Sequence, residues 1–299
     1  MDNQSLTNDP LWPRASTLLK PADGSSCDVA IVGIPAHLTS ISPTNAHTTP
    51  AAIRAALTRY STWSASHGID VGALNIQDFG DIQDPDGPAG EASTTAKVSE
   101  LGKLADLVIG LGGDNSVTYA MAMGTLGDDL PTAGLITFDA HHDLRDGISN
   151  GSPVRRLVEA GLAGQRIVQI GIADFSNSPE YAMRAMDLGI TVIPRSALRT
   201  RTLEEVMNQA LEIAGAAGGP IHVDIDVDVC DRSVVPACPA AAPGGISADE
   251  LRQLAYLSSK HPQVRSIDIT EIDATADAPD QRTVRLAALL ILEALAGRF

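Results

Sequence analysis

Two apolar segments of this chain end in clusters of acidic side chains. Residues 135–138 (LITF) lead directly into 139–143 (DAHHD), and residues 221–223 (IHV) lead into 224–228 (DIDVD). An unpaired carboxylate costs too much free energy to bury in a hydrophobic core, so clustered carboxylates at the end of a buried strand indicate a bound cation. The sequence therefore predicts a metal site formed by two strand ends.

Short β-rich segments alternate with helical patterns along most of the chain. Strands are predicted at 29–34, 107–111, 134–139, 166–172, 191–193, 220–226 and 264–270. Helices are predicted at 51–60, 95–105, 180–188, 203–214, 248–257 and 282–295. This alternation predicts an α/β fold in which helices cover both faces of a central parallel sheet.

The chain is expected to form one domain after a flexible start. Residues 1–26 are polar and contain Pro10, Pro13 and Pro21, which predicts a flexible lead-in. No repeat, linker or low-complexity segment divides the rest, so we expect a single domain over residues 27–299. The first residues lack the basic and apolar regions of a signal peptide, and no apolar stretch reaches the roughly 18 residues of a membrane span.

Composition narrows the class of protein further. The net charge of −16 argues against nucleic acids and anionic membrane surfaces as partners, because both bind basic patches. Three cysteines in 299 residues are too few for a disulfide framework and indicate reduced thiols. We therefore expect a cytoplasmic protein that acts on a small molecule.

Four of the predicted strands end in polar or acidic residues. These ends lie at 112–115, 139–143, 226–228 and 268–271. Ligands of parallel α/β sheets bind at the carboxyl ends of the strands, so the four segments are expected to line one crevice.

Within the first cluster, Asp139, His141 and Asp143 occupy alternate positions. In an extended segment these side chains share one face, and Asp226 and Asp228 repeat that spacing. Carboxylate and imidazole ligands favour Mn²⁺ or a similar divalent ion. Four carboxylates exceed the needs of one ion and suggest a bridged pair, which would generate hydroxide at neutral pH. The alternative is a set of solvated acidic turns or helix caps.

These segments resemble the motifs of a known family. Residues 139–143 resemble the Asp-Ala-His-x-Asp signature of the ureohydrolases, the arginase and agmatinase superfamily. Residues 112–116 (GGDNS) and 226–231 (DVDVCD) are similar to its Gly-Gly-Asp-His-Ser turn and its Asp-x-Asp-x-x-Asp motif, and 268–271 (DITE) to its late acidic segment. The match keeps the family's order and spacing from about residue 28 to the end of the chain.

The resemblance implies a three-layer α/β/α fold, a pair of Mn²⁺ ions and hydrolysis of a C–N bond in an amidine or guanidine. It assigns the metal ligands by position: Asp139 and Asp226 between the two ions, Asp143 in the first site, and His141 and Asp228 in the second. A hydroxide that bridges the ions would attack the substrate carbon, and Asp143 would orient it. Glu271 would anchor the cationic amidinium through charge-assisted hydrogen bonds. The alternative for Glu271 is a carboxylate that caps a turn.

One position departs from the family pattern, because Asn115 stands where the family has a histidine ligand. An amide oxygen is a weaker donor toward Mn²⁺ than imidazole. Three outcomes stay open: Asn115 ligates weakly, water fills its place, or only the second ion binds firmly. His142 should point to the opposite face of an extended segment, which favours a role in the core or in support of the ligands over ligation.

The segment after the first metal motif resembles one branch of the family. Arginases and agmatinases carry a His-Gly pair there, whereas residues 149–155 (SNGSPVR) contain no histidine. They resemble the Ser-Gly-Thr-Pro-Phe-Arg stretch of formimidoylglutamases, which convert N-formimino-glutamate to glutamate and formamide. Because that substrate has two carboxylates, we expect contacts from arginines as well as Asn150, with Arg145, Arg155 and Arg156 as candidates. The alternative is that these arginines are surface charges.

Two other functions stay open. One is a guanidine-hydrolysing ureohydrolase that acts on agmatine, arginine or a guanidino acid and releases urea. The other is a metal-poor, non-catalytic homologue that serves as a binding or assembly subunit, and Asn115 is the feature that favours it. The family habit implies a homo-oligomer, either a trimer or a hexamer.

Overall fold

Two strands near the middle of the sheet, Cys27–Ile34 and Ala105–Gly112, direct alternate side chains into two different hydrophobic clusters. In the computed structural model, which describes residues 9–299, Ile31 and Ile109 belong to one cluster and Val32 and Val108 to another. Alternation of this kind is what a strand buried on both faces requires. Helices pack on both clusters, so the sheet is the middle of three layers. The predicted α/β fold with a central parallel sheet is confirmed.

The sheet contains nine strands, all parallel to their neighbours, in the order β1-β5-β2-β6-β11-β10-β7-β8-β9. Strands β3 and β4 form a separate antiparallel pair. The strands are β1 Lys20–Pro21, β2 Cys27–Ile34, β3 Trp63–Ser64, β4 Ile69–Asp70, β5 Ile76–Asp81, β6 Ala105–Gly112, β7 Gly134–Phe138, β8 Ile167–Ile172, β9 Thr191–Pro194, β10 Ile221–Asp226 and β11 Val264–Thr270. The helices are α1 Thr49–Ala56, α2 Gly87–Leu101, α3 Val117–Leu126, α4 Pro153–Ala160, α5 Pro179–Asp187, α6 Leu203–Ala214, α7 Ala248–Ser259 and α8 Arg282–Gly297.

The predicted strands and helices all occur, but the structure contains elements that the sequence patterns did not indicate. Helix α3 is buried on nearly all sides, so it has no polar face to produce a helical period. Strand β5 lies near the edge of the sheet and becomes exposed toward its end, so it lacks a long apolar run. Helix α2 begins at Gly87, eight residues before the predicted start at 95.

The start of the chain corrects one expectation. Residues Ala15–Leu18 form a 3₁₀ helix, and Lys20–Pro21 pair in parallel with β5, so this stretch belongs to the fold rather than to a flexible lead-in. The remainder of that prediction, residues 1–8, falls outside the described residues. The single domain over residues 27–299 stays a prediction.

The four central strands bring the chemically interesting segments together. Strands β6, β11, β10 and β7 are consecutive in the sheet, and the polar segments of the sequence follow their carboxyl ends. Within residues 9–299, no helix is both long and apolar enough to cross a membrane.

Candidate metal centre

The turn after β6 is formed by a close approach of two loops. A Cβ atom at Gly113 would lie 1.8 Å from the carbonyl oxygen of Ala36, which follows β2, so only glycine fits here. The backbone N–H of Asp114 donates to the same carbonyl at 2.9 Å. This turn places Asn115, whose backbone N–H donates to Oε1 of Glu271 at 2.8 Å, over the carboxyl ends of β6 and β11.

Three of the predicted ligands meet after β7 and β10. Asp139, His141 and Asp228 each offer a ligand atom, and these atoms lie within 4.8 Å of one another. Nδ1 of His141 is 2.8 Å from Oδ2 of Asp228 and 3.5 Å from Oδ1 of Asp139. Oδ2 of Asp139 is fully buried and has no hydrogen-bond partner in the described part of the chain. A buried carboxylate oxygen without a donor is the feature that a cation would satisfy.

The other two predicted carboxylates lie beside this group. Oδ1 of Asp226 accepts a hydrogen bond from the backbone N–H of Asp228 at 2.8 Å. Asp143 is 6% exposed, and its backbone is left-handed, with φ of +52°. His141, Asp143, Asp226 and Asp228 line one cavity of about 350 Å³. The structure therefore brings the two acidic clusters of the sequence to one place.

Burial and mutual repulsion dominate the electrostatics of this cluster. Burial, with repulsion from Asp228, raises the pKa of Asp139 to about 6. Burial and neighbouring carboxylates also raise the pKa values of Asp143 and Asp226 well above the usual range. Burial opposes a charge on His141, but Asp228 and Asp139 outweigh it and raise the pKa of the ring to about 12. The cluster thus holds protons that a divalent ion would replace.

The donor set fits a divalent ion. The set of four carboxylates and one imidazole is rich in the oxygen donors that Mn²⁺ prefers, and it contains no thiolate. The free cysteines Cys27, Cys230 and Cys238 are buried in the core.

The side-chain oxygen of Asn115, the atom that would bind a metal ion, is occupied by hydrogen bonds. Its Oδ1 accepts hydrogen bonds from the hydroxyls of Thr118 at 2.8 Å and Thr270 at 2.9 Å. Its Nδ2 donates to Oδ2 of Asp143 at 2.5 Å. An amide nitrogen offers no lone pair to a cation, so Asn115 as placed here supports Asp143 rather than ligating.

Glu271 both caps a turn and faces the cavity. Its Oε1 accepts the backbone N–H of Asn115 and Nδ2 of Asn150, the latter at 2.7 Å. Its φ is +64°, and burial together with the charge of Asp114 raises its pKa to about 7. Oδ1 of Asn150 accepts the backbone N–H of Ile41 at 3.0 Å, which ties the loop after β2 to this carboxylate.

Of the three candidate arginines, only Arg145 lines the cavity. Its side chain is exposed and makes no hydrogen bond or ion pair with residues 9–299. Arg155 instead donates to the carbonyl oxygens of Arg145, at 2.6 Å, and Gly147. Arg156 forms two hydrogen bonds of 2.7 Å with Glu91. The expectation that Arg155 and Arg156 contact the substrate is therefore corrected, because both guanidinium groups bond to other parts of the fold.

Sequence reasoning missed one wall of the cavity. Ser176, Asn177, Ser178 and Tyr181, in the loop after β8 and the start of α5, line it. These residues form no acidic cluster, so no sequence motif marked them as part of the site. The signal that could have found them is that the carboxyl end of β8 lies at the same edge of the sheet as the other site strands. His142 is buried and points toward Gln169 on β8, which agrees with a supporting role.

The three-layer fold and the acidic crevice define a metal-dependent hydrolase of the α/β class. The Arginase family model matches residues 27–297, and the chain belongs to this family. The formimidoylglutamase of Halalkalibacterium halodurans is 35% identical over 302 residues, which cover 95% of this chain and 92% of the relative. The formimidoylglutamase of Bacillus subtilis is 33% identical over 296 residues, with the same coverage of 95% and 92%.

Solved structures agree with this assignment. The crystal structure of formimidoylglutamase from Bacillus subtilis has a TM-score of 0.91 at 32% identity, over 99% of this chain and 95% of that chain. The crystal structure of Trypanosoma cruzi formiminoglutamase with Mn²⁺ has a TM-score of 0.88 over 96% and 98%, and at 24% identity it supports the fold alone.

The raised pKa values of the carboxylates predict a pH-dependent metal affinity. A divalent ion binds deprotonated ligands, so Mn²⁺ must displace protons from groups such as Asp139, whose pKa is raised to about 6. Affinity should therefore fall as the pH is lowered from about 8 to about 6. Calorimetric titrations in buffers of different ionisation enthalpy would count the protons released. An affinity that is constant over this range, with no proton release, would contradict the prediction.

Proposed function

We propose that the protein is a manganese-dependent formimidoylglutamase, which converts N-formimino-L-glutamate and water to L-glutamate and formamide. The observation that carries the proposal is the guanidinium of Arg145, which has no partner among residues 9–299, at a cavity that also contains the carboxylate cluster and Glu271. A site with a carboxylate to bind an amidinium and an arginine to bind carboxylates suits a substrate with an amidine at one end and carboxylates at the other. The names of the two relatives at 33–35% identity support the same substrate.

The residues around the cavity have distinct roles in this reaction. When bound, divalent ions supply Lewis acidity and lower the pKa of water. Asp139, His141, Asp143, Asp226 and Asp228 would hold them. Glu271 binds the amidinium through Oε2, because Oε1 is already held by Asn115 and Asn150. Asp143 accepts the proton of the attacking water and returns it to the glutamate nitrogen as the C–N bond breaks.

The substrate can be tested directly. Mn²⁺-loaded protein incubated with N-formimino-L-glutamate should release glutamate and formamide in equal amounts, as measured by mass spectrometry. Agmatine, arginine and guanidino acids should yield no urea in parallel reactions.

Two results would replace the proposal with one of its alternatives. Urea release without glutamate release would show a guanidine-hydrolysing ureohydrolase. A protein that retains no metal after Mn²⁺ loading, by plasma emission, and turns over none of these compounds would be the non-catalytic homologue. A measured content of about two Mn²⁺ ions per chain would support the assignment as an enzyme.

Arg145 should set affinity for the carboxylate end of the substrate. Arg145→Met removes a charge-assisted pair, which is worth roughly 1.5–3 kcal/mol, so the KM should rise about ten- to hundredfold while kcat changes less. Steady-state kinetics with N-formimino-L-glutamate measure both constants. Arg59→Met is a matched control, since Arg59 is exposed beyond α1 and away from the cavity. An unchanged KM would remove Arg145 from the substrate site.

We also propose that the ion beside Asn115 is the weaker of two. For Asn115 to ligate, its amide must turn over so that Oδ1 faces Asp143. The two threonine hydroxyls could then accept from Nδ2, because each has another acceptor: Thr118 has Oδ1 of Asp224 at 3.4 Å and Thr270 has the Ile225 carbonyl at 3.4 Å. The site can therefore accommodate a weak amide ligand at a modest cost in hydrogen bonding.

Replacing this amide by imidazole tests the weaker site. Asn115→His should lower the dissociation constant of the first Mn²⁺ ion, because imidazole is the better donor. The free Mn²⁺ signal in electron paramagnetic resonance follows the titration. Thr94→Val, which removes a buried hydroxyl that bonds the carbonyl of Gly90 within α2, controls for changes in packing. If Asn115→His leaves both Mn²⁺ affinities unchanged, Asn115 lies outside the ligand shell.

We further propose a cytoplasmic homo-oligomer, either a trimer or a hexamer. The large apolar side chains Phe175, Met183 and Met186, on α5 and the loop before it, are exposed and support association. Sedimentation velocity would show a monomer if this is wrong.

A further inference from the structure

The segment that carries His141 lies outside regular secondary structure, and a neighbouring side chain holds its backbone. Asn177, in the loop after β8, accepts the backbone N–H of His142 at Oδ1, with a distance of 3.0 Å. Its Nδ2 donates to the carbonyl oxygen of Ala140 at 2.9 Å. One amide group therefore bonds the chain on both sides of His141.

A second side-chain amide, that of Gln169 on β8, holds the same segment. Gln169, on β8, is fully buried, and its Oε1 is 2.7 Å from Nδ1 of His142. Its Nε2 donates to the carbonyl oxygen of His142 at 2.8 Å. Because Nε2 must donate, Oε1 is the acceptor, and the proton of His142 must lie on Nδ1. Both polar ends of Gln169 are thus committed to this one residue.

We propose that Asn177 and Gln169 form a brace whose function is to position His141 as a metal ligand. The ring of His141 is 29% exposed, so core packing alone does not fix it. The backbone fixes the position from which the ring reaches Asp228, and the brace holds that backbone against β8. The two amides and His142 are positioning residues, since they act through His141 and not on the substrate. The inference rests on the proposed metal centre but not on the identity of the substrate.

Asn177 also lines the cavity, so a direct contact with substrate is the competing interpretation. Both its amide oxygen and its amide nitrogen already bond to backbone groups, which favours the brace. The two interpretations differ in what they affect. A brace controls the affinity for metal, whereas a substrate contact controls the KM.

Mn²⁺ titration without substrate tests the brace. Asn177→Ala should weaken Mn²⁺ binding about ten- to hundredfold, as is usual for residues that support a metal ligand. Electron paramagnetic resonance of free Mn²⁺ gives the dissociation constants. Asn177→Asp keeps the acceptor for the N–H of His142 and should recover part of the affinity. Asn75→Ala, which removes a side-chain bond to the carbonyl of Ser26 far from the site, should bind Mn²⁺ like the unaltered protein.

Kinetics and a second position complete the test. At saturating Mn²⁺, Asn177→Ala should regain kcat with an unchanged KM, and Gln169→Met should lose Mn²⁺ affinity in the same way. Unchanged Mn²⁺ affinity in folded Asn177→Ala would overturn the brace, and a raised KM with that unchanged affinity would assign Asn177 to the substrate. His141→Ala is the reference. If it binds Mn²⁺ as tightly as the unaltered protein, the metal assignment fails, and the brace fails with it.

Discussion

Repulsion among buried carboxylates is the constraint on which this structure depends. The sheet forces the ends of β7 and β10 together, and with them Asp139, Asp226 and Asp228. Their negative charges cannot be buried side by side without protons or a cation. Neighbouring carboxylates raise the pKa of His141 to about 12, and burial with carboxylate repulsion raises the pKa of Asp226 well above its usual range, so both groups favour a bound proton. The same groups would become ligands if a divalent ion replaced the protons.

Features that arise from local chemistry could be predicted from the sequence. The strand ends, the parallel sheet and the meeting of the acidic segments at one edge of it follow from apolar runs that stop at carboxylates. The helix α7 begins where Ser247 and Glu250 form a capping box, which is a local signal of the same kind. These predictions succeed because the burial of apolar residues and the exclusion of unpaired charge from the core restrict where strands and helices can end.

Features that depend on the tertiary arrangement could not be predicted. The orientation of the Asn115 amide depends on partners from other elements: Oδ2 of Asp143 accepts from its Nδ2, and the hydroxyl of Thr270, 155 residues away in sequence, bonds its Oδ1. Arg155 looked like a substrate ligand by position, yet the carbonyl oxygens of a neighbouring loop occupy it. The wall that contains Asn177 comes from a loop whose sequence carries no charge pattern. In each case the partner that decides the role lies on a different loop or strand.

The left-handed backbone at Asp143 and Glu271 has a consequence for how this protein can change. Non-glycine residues in that conformation cost on the order of 1–3 kcal/mol each, and both carry a carboxylate that faces the cavity. Glycine at either position would relieve the strain but remove the reactive group. Variants selected only for thermal stability are therefore expected to accumulate changes at the two residues to which we assign roles in the reaction, and a chain stabilised in this way would be an inactive one.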